Sequence, residues 1–72
     1  MRGMTPTHAA DPLADRLHRL RLQAGLSAFA LAKAAGTSPQ NIYQIEKGIT
    51  VPRIPMLRRL AAALGVPVRD LF

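Results

Sequence analysis

Four side chains in one short stretch carry the most directional hydrogen-bonding chemistry of this chain: Gln40, Asn41, Tyr43 and Gln44. A side-chain amide offers a donor and an acceptor side by side, which matches the N6 and N7 edge of adenine in a duplex major groove. Gln40 and Gln44 stand four residues apart and Lys47 three further on, so a helix would stack them along one face. Ile42 and Ile45, three apart, would form a narrow apolar seam on the other. Such a helix presents a surface for reading a pattern of donors and acceptors. Catalysis is a different matter. Ser27, Ser38, His8 and His18 show no nucleophile–base arrangement, so no enzyme is expected. The two histidines also lack clustered Cys, His or carboxylate partners, and neither a metal site nor a cofactor is expected.

The elements that must position this stretch can be read from their ends. Ser38 suits an N-cap and Pro39 the first helical position, where its missing N–H costs nothing. Gly48 follows as a stop, with Lys47 near the negative end of the helix dipole, so the reading helix spans about 38–47. Upstream, Asp11-Pro12 opens a first helix that Gly25 stops, with Leu13, Leu17, Leu20 and Ala24 as its buried stripe. Arg16 and Arg19 fall off that stripe. Arg21 lies at its edge and requires a partner, because an unpaired buried charge is costly. Ser27 caps a second helix over 28–35 that ends at Gly36, with Leu31, Ala32 and Ala35 facing inward. Phe29 points away from that face, either covering the edge of the core or making a protein–protein contact. A loop over 49–54 leads to a fourth helix from about Pro55 to Leu64, whose inner face is Met56 or Leu57 with Leu60, Ala61 and Leu64. A fifth short helix begins near Val66, and the chain ends inside it; a whole small protein and the front part of a longer one both remain open. Residues 1–10 lack apolar periodicity and read as a flexible arm, leaving 11–72 as the folded domain.

Composition narrows the class. Seventy-two residues allow one small domain, and a surplus of Leu and Ala over β-branched and aromatic residues favours an all-α fold. Ten Lys and Arg against four Asp and Glu give a net charge of +6, which predicts attraction to a polyanion, nucleic acid first. No apolar run is long enough for a transmembrane helix, no signal-peptide core is present, and no cysteine offers a disulfide. An intracellular protein fits these features. With two Phe, one Tyr and no Trp, stacking on single-stranded bases is a weak reading.

Taken in order, several residues resemble the phage repressor/Cro (Xre-type) helix-turn-helix family. They are Leu17 with Arg21, Gly25-Leu26-Ser27, Leu31-Ala32, Ala35-Gly36, Ile42, Ile45-Glu46-x-Gly48, Pro52, and Leu60-Ala61-x-x-Leu64-Gly65-Val66. No single piece is distinctive; the ordered set at family spacing is. The resemblance implies a compact bundle of five short helices, lambda-repressor-like, whose third helix enters the major groove. It implies base contacts from Gln40 and Gln44, with Asn41 and Tyr43 reaching bases or flanking backbone. It implies a buried salt bridge between Arg21 and Glu46, and phosphate or minor-groove contacts from the backbone at Ala28 and from Lys33, Lys47 and Arg53. Two positions depart from the pattern. Ala28 stands where the family usually has a phosphate-bonding Gln, and Pro39 where a base-reading Gln is frequent, so a shorter or less stringent site is expected.

The function implied is sequence-specific binding of double-stranded DNA by a transcriptional regulator, a repressor acting as a homodimer. Phe29, Val68, Leu71 and Phe72 are the candidate dimer contacts, although the apolar C-terminal end could equally serve to close the core. A second reading, from another class, is an antitoxin-like protein-interaction module that holds a protein partner and binds DNA secondarily.

Overall fold

The computed structural model describes residues 12–72, and the fold over these residues is all-α. Residues 1–10 and the expected cap Asp11 lie outside the described residues. Four helices follow in order: α1 (Pro12–Gln23), α2 (Ala28–Ala35), α3 (Pro39–Glu46) and α4 (Ile54–Leu64). A 3-10 turn over Val68–Leu71 stands where a fifth helix was expected.

The caps follow local chemistry. Ser27 and Ser38 both hold extended backbone, and each hydroxyl accepts a bond from the N–H three residues on, Ala30 at 3.0 Å and Asn41 at 3.1 Å. Helix α4 begins one residue earlier than expected, at Ile54, with Arg53 as its N-cap and no side-chain bond across the cap. Its stability therefore comes from the apolar face that it buries rather than from its start.

The turn between α2 and α3 sets the angle at which α3 is presented. It depends on Gly36, whose φ of 74° is left-handed and whose N–H returns to the carbonyls of α2, while Thr37 N–H bonds Ala32 O at 2.9 Å. A Cβ placed on Gly36 would meet nothing within 4 Å, so the demand for glycine is conformational and not steric. Gly36→Ala is expected to cost about 1 kcal/mol, roughly 4–8 °C in a thermal melt, and Gly36→Asn distinctly less. Equal melting points for the alanine variant and the native chain would refute this.

Helix α2 packs against both α3 and α4, while α1 packs on α3 and on the C-terminal turn, which in turn rests on α4. Between them sit Leu17, Leu31, Ile42, Ile45, Leu60 and Leu71, all fully buried. The stripe expected on α1 needs two changes. Ala24 is exposed, because α1 ends at Gln23 and Ala24 lies in the turn. Ala14 is fully buried and takes its place, so the inner line is Ala14, Leu17 and Arg21, with Leu13 and Leu20 at its margin.

Candidate nucleic-acid interface

Helix α3 buries Ile42, Ile45 and Glu46 and turns its remaining side chains outward. Gln40, Tyr43 and Lys47 are exposed; Asn41 and Gln44 are half-buried. Gln40 and Gln44 thus share one accessible face, one turn apart. Asn41 is less free than its neighbours, since its Nδ2 donates to Thr37 Oγ1 at 3.0 Å. That bond ties the first turn of α3 to the loop before it, a link not apparent from the residue types alone.

Behind this face lies a cluster of charges. Arg21 donates through Nε to Glu46 Oε2 at 2.7 Å and through Nη2 to Oε1 at 3.0 Å, a bidentate pair joining α1 to α3. Nη1 of Arg21 also donates to Leu26 O at 3.0 Å, which fastens the loop before α2 to the same point. Both side chains are buried, Arg21 8% and Glu46 7% exposed. Among the described residues, no buried side-chain polar atom lacks a partner. The pair therefore carries the requirement noted for Arg21, and it makes Glu46 part of the framework rather than of the outer surface.

The cluster has a third member. His18 Nδ1 lies 3.0 Å from Glu46 Oε1 and 3.4 Å from Arg21 Nη2. The expectation that His18 has no carboxylate partner is therefore corrected. The partner is 28 residues away in sequence and one helix away in space. The available signal was the i, i+3 spacing of His18 and Arg21, which places both on the side of α1 that faces α3. No group of three or more potential metal ligands occurs among the described residues.

Burial pushes the Glu46 carboxyl up, but hydrogen bonds from Arg21 and His18, reinforced by their charges, outweigh it and hold the group below its ordinary value. The same hydrogen bond is the largest influence holding the Arg21 proton more tightly, against burial. Glu46 thus contributes stability that is fully present above its unfolded value of about 4.3 and is lost as pH falls through its lower folded value. Acid titration followed by circular dichroism should show native stability falling below pH about 4.3, with a Glu46→Gln variant showing a shallower fall.

The other sites distribute as follows. Lys33 on α2, Lys47 after α3 and Arg53 before α4 are exposed. The Ala28 methyl is buried, which leaves only backbone at that position to face a phosphate. Arg19 is exposed and paired with Asp15 one turn back. Phe29 and Phe72 are exposed and Val68 is half-buried against the core. Leu71 is fully buried. It closes the core beneath the C-terminal turn and is withdrawn from the candidate dimer contacts, since a side chain without accessible surface cannot meet a second copy. No helix among the described residues is long and apolar enough to cross a membrane.

Comparison with known proteins agrees with this geometry. Residues 12–72 match a family model described as a helix-turn-helix domain. The chain is 37% identical over 60 residues to the HTH-type transcriptional regulator DdrOP3 of Deinococcus deserti, a match covering 83% of this chain and 46% of that protein. It therefore spans about half the length of that relative. The fold is similar to the crystal structure of the restriction-modification controller protein C.AhdI from Aeromonas hydrophila, with a TM-score of 0.81 and 32% identity over 83% of this chain and 91% of that one. A capped α3 held by a bidentate Arg–Glu pair to α1, a tight glycine turn before it and these matches lead to one assignment: the chain belongs to the helix-turn-helix family of the phage repressor/Cro (Xre) type, a family of DNA-binding transcriptional regulators.

Proposed function

We propose that this chain is a sequence-specific, double-stranded DNA-binding repressor that reads the major groove with α3 and acts as a homodimer. The observation that carries this reading is the accessible face of α3. Gln40 and Gln44 are aligned one turn apart on a helix whose orientation is held from behind by Arg21 and Glu46. A helix held this way carries its amides to base edges without further ordering of its backbone. Lys33, Lys47 and Arg53 supply the phosphate contacts that set register on the duplex, and Phe29, Val68 and Phe72 are the remaining candidates for the contact between copies. One domain of this size covers too little DNA for a specific affinity by itself, which is the reason for the dimer. Dimers of this architecture place their half-sites about one helical turn apart.

Selection of binding sites from random duplex DNA tests the reading. Enrichment of a palindromic motif supports it; enrichment of nothing by the folded chain sinks it. One variant tests whether Phe29 lies at the contact between copies. Phe29 is 68% exposed on α2, with its bulk in solvent. Phe29→Glu should leave the melting temperature nearly unchanged. If Phe29 is not at the dimer contact, it should also alter DNA affinity less than about threefold, within the range of ordinary surface substitutions. A larger loss of affinity together with a shift to monomer in sedimentation would place Phe29 at the contact between copies.

A further inference from the structure

Base reading does not account for a cleft of about 240 Å3 between α1 and the flank of α3, lined by His18, Arg21, Tyr43, Glu46 and Lys47. Arg21 and Glu46 largely satisfy one another at its floor. His18, Tyr43 and Lys47 form its rim and are all exposed, with the His18 side chain 47% accessible. Tyr43 and Lys47 are four residues apart, so the rim follows the edge of the same helix that carries Gln40 and Gln44.

The state of the His18 ring follows from its neighbours. Glu46 Oε1, at 3.0 Å from Nδ1, can only accept; Arg21 Nη2, at 3.4 Å, can only donate. The shorter, charge-assisted contact selects a proton on Nδ1. Nε2 has no partner among the described residues. In the neutral ring Nε2 is then a bare lone pair, which repels a phosphate oxygen. With a second proton it becomes a donor on a cation.

We propose that His18 is a proton-dependent contact to one backbone phosphate of the bound duplex, made at this cleft together with Tyr43 and Lys47. The assignment rests on the reading of α3 as the DNA-reading helix. The charges around the ring explain why the proton would arrive with the DNA. From α3, Glu46 attracts it and Lys47 opposes it, while Tyr43 is a neutral hydroxyl. From α1, Arg21 opposes it, and Asp15, one turn back, is already engaged by Arg19. A phosphate adds one more negative charge beside Nε2 and tips the balance toward the imidazolium, so binding takes up a proton.

Fluorescence anisotropy with a labelled random-sequence duplex tests this across pH 6 to 8, the interval in which histidine chemistry changes charge. At each pH, affinity is measured against salt for the native chain, His18→Gln and His18→Lys. Native affinity should rise roughly three- to tenfold from pH 8 to pH 6, and the slope of log affinity against log salt should steepen by about 0.9. His18→Gln should lose both changes. His18→Lys, permanently charged, should show the steeper slope at both ends of the range. His8 is present in all three proteins, so the difference between them belongs to position 18. Thermal melts at pH 8 confirm folding, since the Arg21–Glu46 pair remains in both variants. An identical pH and salt response in the native chain and His18→Gln overturns the contact while leaving DNA reading intact. Failure of the native chain to bind any duplex at any pH overturns both.

Discussion

Replacing Gln40 and Gln44 together by alanine should lower affinity for the selected site by about 2–4 kcal/mol, roughly 30- to 1000-fold, and leave weak binding to random duplex unchanged. The argument is one of separable contacts. A well-placed amide pairing with a base contributes sequence discrimination, whereas affinity common to all sequences comes from neutralised phosphates and displaced counterions. Glutamine is neutral, so the variant should keep the native slope of log affinity against log salt. Loss of fold is not a competing explanation: both positions lie on the outer face of α3, neither side chain takes part in a described hydrogen bond, and alanine is the better helix former. Asn41 would be a poorer choice, because its amide is bonded to Thr37 and its removal would mix reading with loop stability. The measurement is a pair of salt titrations, on the selected site and on random duplex. A variant that keeps the native preference between them would show that α3 does not read bases through these two residues.

The second large effect concerns the framework. Glu46→Ala leaves the Arg21 guanidinium buried with its bond to Leu26 O but without the carboxylate that engages Nε and Nη2. Removing one member of a buried pair is far more damaging than never having had it, since the survivor is a charge cut off from water. The expected loss is about 3 kcal/mol, a fall of roughly 15 °C in a thermal melt for a domain of this size. Such a loss would be a large share of the total stability of a small domain. Replacing both partners, Arg21→Met with Glu46→Leu, removes the stranded charge and should recover most of the melting temperature. A Glu46→Ala melt within a few degrees of native would show that Arg21 reaches water when its partner is gone, and that the pair contributes little to the fold.

Local features of this chain were legible in the residues alone. Ser27, Ser38 and Pro39 announce helix starts because capping depends on a few adjacent atoms. Gly36, Gly48 and Gly65 announce stops because a left-handed φ is a property of one residue. The outer stripe of α3 follows from helical period and residue type, and the net charge requires only counting. The resemblance to a known family added the pairing of Arg21 with Glu46, which spacing could motivate from one side only: Arg21 required a partner, but nothing in periodicity says which of the four acidic residues provides it.

Tertiary packing decided what depends on neighbours distant in the chain. For Leu71 the sequence left a dimer contact and closure of the core equally open, and packing decides for the core because α1 and α4 leave a space that the C-terminal turn fills. Ala14 displaces Ala24 from the inner face because the helix ends before Ala24 can join it. His18 looks isolated along the sequence and acquires a carboxylate only when α1 lies across α3. The outcomes for Leu71 and His18 are set by the meeting of two elements, and that for Ala24 by where α1 ends. A hydrogen bond or a buried contact between two separate elements leaves no periodic trace in either segment, so only the folded chain can show it.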